Sequence, residues 1–173
     1  MVDCSLGTNP LGCSTLISDS KELFQIKRII EYPQFPYVDL KNEIAKYWKE
    51  IEHVESSNIR MGLGSMGIID IINKMFIDKD SKVLGYCPQF TEYSANVKAY
   101  GGKYEYVLLK SDNNFKFDAE AILNKMSEEH KIIYIDNPNN PTGQIIELSD
   151  LIKVIEEAEK KNFFIFKKEE KHN

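Results

Sequence analysis

The stretch richest in groups that could bind a ligand runs from Tyr134 to Gln144 and reads YIDNPNNPTGQ. Asn137, Asn139 and Asn140 supply side-chain amides that both donate and accept hydrogen bonds. The prolines fix φ at two loop positions, and the Asn–Pro bonds are candidates for cis peptides. An Asx/Pro turn would use the same residue types. Because the string follows an apolar strand directly, and ligands of open α/β sheets bind beyond the strand ends, a ligand loop is favoured.

A second candidate is the glycine-rich turn Gly62–Gly67, which matches the dinucleotide pattern G-x-G-x-x-G. A dinucleotide site also needs an apolar strand directly before the glycines and an acid about 20 residues later, at the end of the next strand. Asn58–Met61 is short and partly polar, and the next strand ends Gly85-Tyr86-Cys87 without an acid. The sequence therefore argues against NAD, although both kinds of site would place a phosphate at the same helix start.

Other reactive side chains are scattered. The chain has three histidines and three cysteines, at positions His53, His130, His172, Cys4, Cys13 and Cys87. No C-x-x-C pair is present, and no histidine has a partner at metal-ligand spacing, so no metal site is predicted. Reduced thiols in a cytoplasm are the expectation for the cysteines.

The elements that must position these residues alternate between helix and strand. Residues 1–36 are expected to form an irregular arm with one short helix around Ser20–Ile30. After a predicted N-cap at Asp39, apolar residues at helical spacing predict a helix, and a further helix follows the glycine-rich turn. The remaining predicted elements, with that second helix first, are Ile68–Phe76, strand Lys82–Tyr86, helix Thr91–Tyr100, strand Lys103–Leu109, a helix from cap Asp118 through Met126, strand Lys131–Asp136, a helix from cap Ser149 through Lys161, and strand Asn162–Phe166.

This order predicts a three-layer α/β/α fold with a mostly parallel sheet. The strands KIIYID and FFIF are apolar without alternation, as parallel strands covered on both faces are. We expect an N-terminal arm over residues 1–36, a partial large domain over residues 37–166 and a charged tail over residues 167–173.

Composition excludes several classes of protein. The 173 residues carry 22 basic and 27 acidic side chains, a net charge of −5, without the dense basic stripe of a nucleic-acid-binding protein. Nine Phe and nine Tyr can build a core, which argues against disorder. No apolar run reaches the roughly 18 residues of a membrane span, and no signal peptide is visible at the start.

The string NPNNPTG resembles the signature of fold-type I pyridoxal-phosphate (PLP) aminotransferases of class I/II, especially the histidinol-phosphate aminotransferase branch. The resemblance is collinear over nearly the whole chain. Four further stretches carry it: Ser5–Gly12, Glu31–Pro33 followed by Leu40–Tyr47, Ile59–Gly67, and Pro88–Tyr93. Similar patterns occur in threonine-phosphate decarboxylase and other branches, so the amino acid or amino phosphate substrate stays open.

The resemblance implies roles for individual residues. Gly64, Ser65 and Met66 would bind the cofactor's phosphate at a helix start. Phe90 would stack on the pyridine ring, although a core Phe would give the same sequence. Asn140 would donate to the phenolic oxygen of PLP. Two further residues are implied: Tyr32, which would reach the phosphate of a neighbouring subunit and so implies a homodimer, and Asn9, on the substrate side.

The resemblance also implies functional groups that this sequence does not show at the expected positions. Counting on from Gly143, the aspartate that pairs with the pyridine nitrogen falls at Lys167, and the Schiff-base lysine would lie further on. No catalytic residue is therefore assigned, and a truncated or frame-shifted chain is expected. Two hypotheses stay open: the N-terminal part of a PLP aminotransferase that is inactive alone, or a non-catalytic phosphate-binding and assembly module.

Overall fold

The computed structural model describes residues 11–18, 32, 34–50 and 53–168. The chain divides into two compact units, residues 1–60 and residues 61–173. The helix predicted around Ser20–Ile30 and the predicted substrate-side residue Asn9 lie outside the described residues. Within the described ranges, no helix is long and apolar enough to cross a membrane.

The first unit is helical where it is described. Helix α1 spans Thr15–Ser18, α2 spans Val38–Trp48, and a 3₁₀ turn spans Ser56–Asn58. The helix predicted from the apolar stripe is confirmed, but the predicted cap is wrong. Tyr37, at φ 65°, precedes the helix, and Asp39 lies inside its first turn. A carboxylate there still interacts favourably with the helix dipole.

The second unit is a parallel α/β sheet. Its elements are α3 Gly64–Phe76, β1 Lys82–Cys87, α4 Thr91–Ala99, β2 Lys103–Leu108, a 3₁₀ turn Ser111–Asn113, α5 Ala119–Lys125, β3 His130–Asp136, α6 Leu148–Lys160 and β4 Phe164–Lys168. The strand order is β2-β1-β3-β4, and every pair is parallel. The four strands predicted from the sequence are confirmed.

Two apolar clusters join the helices to opposite faces of this sheet. The first contains buried residues of α3 and α4 packed on the strands: Ile69, Val83, Tyr93, Val97, Ile132 and Tyr134. The second contains residues of α5 and α6 packed on the other face, among them Leu84, Ile122, Ile133, Ile135, Leu151 and Val154. Helices therefore cover both faces, which is the predicted three-layer arrangement.

In the second unit, three elements have boundaries that differ from the prediction by two residues or more. Helix α3 begins at Gly64 rather than Ile68, because the Gly67 N–H bonds to the Leu63 carbonyl and closes a helical turn within the glycine-rich segment. Helix α6 begins at Leu148, so Ser149 lies within it and is not its N-cap. Strand β4 continues through Lys168, two residues into the predicted charged tail, because it pairs with β3 as far as Asp136.

Candidate functional site

The topology of the sheet creates a crevice between β1 and β3. The chain leaves β1 to form β2 on one side and later returns as β3 on the other side, so the loops after β1 and β3 diverge. The first loop contains Pro88, Gln89 and Phe90, and the second contains residues 137–143. The Asn139 side-chain amide donates to the Pro88 carbonyl at 3.1 Å and joins the two loops. The candidate site lies where open α/β sheets bind ligands.

A buried carboxylate organises both loops. Asp136 ends β3 and is 1% exposed. Its Oδ1 accepts a hydrogen bond from Gln89 Nε2 at 2.8 Å and lies 2.7 Å from the Tyr86 hydroxyl. Its Oδ2 accepts the backbone N–H groups of Phe90 at 3.4 Å and Asn140 at 3.2 Å. One side chain therefore fixes the backbone at two of the residues predicted for the site.

Tyr86 and Gln89 hold this carboxylate in turn. Burial, with the Asp136 charge nearby, raises the pKa of Tyr86, so its hydroxyl stays protonated and can donate. Gln89 Oε1 accepts from the Tyr86 backbone N–H at 3.2 Å and from the Tyr104 hydroxyl. Sequence reasoning missed Asp136 and Gln89. A signal was present, because an acid that closes an apolar strand directly before a ligand loop lies at the carboxyl edge of the sheet.

The loop after β3 is held by its own hydrogen bonds. Asn137 Oδ1 accepts the Ile146 N–H at 2.9 Å, and Asn139 Nδ2 donates to Thr142 Oγ1 at 2.8 Å. Both Asn–Pro peptide bonds are cis, as the sequence suggested. The side chain of Asn140, by contrast, is exposed at the surface of the loop. Asn137 and Asn139 therefore shape the loop, and Asn140 is the most exposed of the three asparagines.

The glycine-rich turn opens α3 at the same edge of the sheet. The other end of α3 is at the opposite edge, because Phe76 packs on Phe164 at the start of β4, with ring centroids 4.4 Å apart. Gly64, Ser65 and Met66 form the exposed first turn, which has no side-chain cap. Amides of a first helical turn have no carbonyl partner within the helix. The Gly64 N–H donates to the Gly62 carbonyl at 3.1 Å, so the Ser65 and Met66 amides, together with the Ser65 hydroxyl, form the donor set suited to an anion.

The dinucleotide alternative lacks its strand. Residues 53–63 are described, and their only regular element is the 3₁₀ turn Ser56–Asn58. The glycines of Gly62–Gly67 therefore do not follow a strand, as a dinucleotide-binding turn requires. In the described ranges, no cluster of three His, Cys, Asp or Glu side chains could hold a metal ion.

Strand β4 brings a lysine to the site. Lys168 is 8% exposed and pairs in register with Asp136. Its Nζ lies 4.4 Å from the centroid of the Phe90 ring. The resemblance placed the partner of the pyridine nitrogen at the preceding residue, Lys167. Successive side chains of a strand face opposite sides of the sheet, and the lysine on the Phe90 side is Lys168.

The predicted site residues fall into three groups. Gly64, Ser65 and Met66 lie together in one helical turn, whereas Phe90 and Asn140 are linked through Asp136. Tyr32 belongs to the first unit and is 99% exposed. Asn9 is outside the described residues.

Comparison with known proteins identifies a family. The family profile "Aminotransferase class I and II" matches residues 4–169. A histidinol-phosphate aminotransferase of Methanococcus maripaludis strain C6 is 35% identical over 152 residues, which are 87% of this chain and 40% of the relative. The enzyme of the same name from Ruminiclostridium cellulolyticum is 34% identical over 130 residues, 75% of this chain and 35% of the relative. The chain thus spans about two fifths of the length of these relatives.

Solved structures show the same fold. The aromatic aminotransferase from Pyrococcus horikoshii OT3 aligns with a TM-score of 0.73 and 21% identity, over 83% of this chain and 40% of that one. The N-succinyldiaminopimelate aminotransferase from Mycobacterium tuberculosis aligns with a TM-score of 0.73 and 23% identity, over 82% and 38% of the two chains.

Proposed function

Because the chain belongs to the class I and II aminotransferase family, we propose that its 173 residues form the N-terminal part of an enzyme that moves an amino group between an amino acid or amino phosphate and a 2-oxo acid. The relatives' name favours histidinol phosphate as the amino phosphate. Pyridoxal 5′-phosphate is the cofactor of this family, and when bound it supplies an electron sink. These residues would bind the cofactor by its phosphate and would contribute no catalytic group, so the chain by itself would be inactive.

The two ends of the site fit the cofactor differently. The phosphate end fits, because the first turn of α3 offers the Ser65 and Met66 amides and the Ser65 hydroxyl without a side-chain cap. The ring end does not fit, because the Lys168 ammonium lies over the ring of Phe90. The observation that carries the proposal is therefore the uncapped helix start at the same edge of the sheet as the β1–β3 crevice, and recognition is assigned to the phosphate.

Ser65→Ala tests this assignment. Charge-assisted hydrogen bonds contribute about 1.5–3 kcal/mol each, so losing the hydroxyl should weaken binding of pyridoxine 5′-phosphate about tenfold or more. Binding of pyridoxine, which has no phosphate, should not change. These two ligands lack an aldehyde and cannot form imines with surface lysines, so equilibrium dialysis reports the site alone.

Ser111→Ala is the matched control, since it removes an exposed hydroxyl from the 3₁₀ turn beyond the outer strand β2. Its affinity for both ligands should equal that of the unsubstituted chain. An equal loss of both ligands in Ser65→Ala would mean that the turn is merely structural and would overturn the assignment.

We extend the proposal to a homodimer in which Tyr32 of one copy reaches the phosphate held by Ser65 of the other. The nearly complete exposure of Tyr32 supports this, because the ring is accessible to a second copy. Mixing Tyr32→Phe chains with Ser65→Ala chains should restore sites that contain both hydroxyls, and phosphate-ligand binding should rise above that of either variant alone. No gain on mixing would contradict the shared site. Asn9 stays a predicted substrate-side residue.

A reducing, cytoplasmic setting is proposed as well. Cys13 and Cys87 are free thiols among the residues that the structure describes, which suits that compartment.

A non-catalytic phosphate-binding module is the second candidate. The observation that favours it is the position of Lys168 over Phe90, which leaves the phosphate turn open but covers the ring-stacking residue. Both candidates require phosphate binding at Ser65. They differ in whether the whole protein transfers an amino group.

A further inference from the structure

Lys168 and Phe90 lie on the same face of the sheet. Phe166, two residues before Lys168, contacts the rings of Tyr93 and Tyr134 in the α3/α4 cluster, with centroids 5.7 and 5.4 Å apart. Phe90 packs against the same cluster. Strand alternation therefore directs Lys168 to the face that Phe90 occupies. Ile165, by contrast, packs on the α5/α6 cluster, so Lys167 belongs to the opposite face.

An ammonium over an aromatic ring and a stacked ring compete for the same surface. Cation–π contacts form within about 6 Å of a ring centroid, and offset-stacked rings lie about 4.5–7 Å apart. The Lys168 Nζ, at 4.4 Å, already occupies this space. Phe90 is half-buried, because it packs on the α3/α4 cluster. A protonated pyridine would also meet the like charge of the ammonium.

The register of the strands holds Lys168 in this place. Its Cα pairs with that of Asp136, and its carbonyl accepts the Asn137 N–H at 2.9 Å. Asp136 in turn fixes the Phe90 backbone. The same strand ends that form the crevice therefore hold the Lys168 ammonium over the Phe90 ring.

We propose that Lys168 closes the ring subsite of this chain, so that a ligand is recognised through its phosphate and gains little from a pyridine ring. The inference rests on the proposed function, since it takes the phosphate end at Ser65 as the anchor. It makes Lys168 a specificity-determining residue that acts by occupying the face of Phe90.

Equilibrium dialysis with pyridoxine 5′-phosphate and with inorganic phosphate tests the proposal on the full chain. The unsubstituted chain should bind the two with similar affinity. Lys168→Ala should bind pyridoxine 5′-phosphate about tenfold more tightly and inorganic phosphate unchanged, because the ring then reaches Phe90. Lys167→Ala removes the neighbouring amine from the opposite face and is the matched control, with unchanged affinity for both ligands.

Lys168→Met keeps most of the buried stem and removes the charge, and circular dichroism of each variant reports its fold. If the alanine variant fails to fold, a gain for pyridoxine 5′-phosphate in Lys168→Met decides for the proposal, and no gain decides against it. Pyridoxine 5′-phosphate could instead bind the unsubstituted chain and Lys168→Ala with equal affinity, and bind both more tightly than inorganic phosphate does. That result would overturn the inference and leave the proposed function standing. Binding of neither ligand to any variant would overturn the proposed function, and the inference with it.

Discussion

The carboxylate of Asp136 is the group on which the geometry of the candidate site depends most, because four donors converge on it. Asp136→Asn keeps the shape but directs an amide N–H₂ group at donors. We expect the free energy of unfolding to fall by about 1.5–3 kcal/mol, the value typical of a hydrogen-bonded buried charge. Urea denaturation measures this. Asp112→Asn, in the exposed 3₁₀ turn, is the control and should leave the free energy of unfolding unchanged. If both variants lost the same small amount of unfolding free energy, the role of Asp136 would be contradicted.

A second residue-scale prediction concerns acid stability. Hydrogen bonds from Lys131, and then from Ser81, lower the pKa of Asp78 from 3.8 to about 2. Because the folded-state value lies below the unfolded one, the interaction stabilises the fold fully above about pH 4, and this contribution is lost as the pH falls towards 2. Lys131→Met should therefore flatten the fall in stability between pH 4 and pH 2.

The measurement for Asp78 is urea unfolding at a series of acidic pH values. Lys125→Met removes the same charge at the end of α5 and should leave the slope unchanged. A slope in Lys131→Met that equals that of the unsubstituted chain would show that the pair does not stabilise the folded state.

The sequence shows the proposed ligand-contacting positions more clearly than the residues that support them. The asparagine–proline loop and the glycine-rich turn are visible as local strings. The bond between Gln89 and Asp136 joins residues 47 positions apart, and such a partner cannot be read from local spacing. The resemblance placed the partner of the pyridine nitrogen at Lys167, whereas the lysine over Phe90 in the structure is Lys168; counting along the chain does not say which face of the strand a residue takes.

At the element scale, Asp118 and Ser149 form a natural pair for comparison, because both were predicted as N-caps. Asp118 Oδ1 accepts the Ala121 N–H at 2.9 Å, so Asp118 is the cap of α5. Ser149 lies inside α6. Asp118→Ala should cost about 1 kcal/mol of unfolding free energy. Ser149→Ala should cost nothing or stabilise slightly, since alanine is the better helix former; equal costs would contradict the assignment of the caps.

The strands were the most predictable elements. Lys82–Cys87 and His130–Asp136 were each predicted to within one residue, because short apolar runs between turn residues indicate buried parallel strands. Helix starts were less predictable. Gly64–Gly67 has the composition of a turn, since glycine is costly in a helix, yet it forms the first turn of α3. The proposed phosphate binding requires this turn to be exposed. Helix propensity carries no information about exposure, so it could not predict this helix start.

At the scale of the whole molecule, the buried apolar residues are unevenly distributed. Among the residues that the structure describes, both apolar clusters consist of residues from the second unit. In the described part of the first unit, α2 buries none of its side chains. Burial of apolar surface is the main favourable term in folding, so the capacity to fold independently should reside in residues 61–173.

Fragment 61–173 should therefore fold without residues 1–60. We expect a cooperative urea transition with a midpoint close to that of the full chain, since the midpoint reports the stability of the sheet and its two covering layers. Leu84, fully buried in β1, provides the control: Leu84→Ala should cost about 2–5 kcal/mol in the fragment and in the full chain alike. A fragment 61–173 that melts without cooperativity, or a Leu84→Ala cost that differs between the two chains, would mean that the first unit contributes to the core of the second.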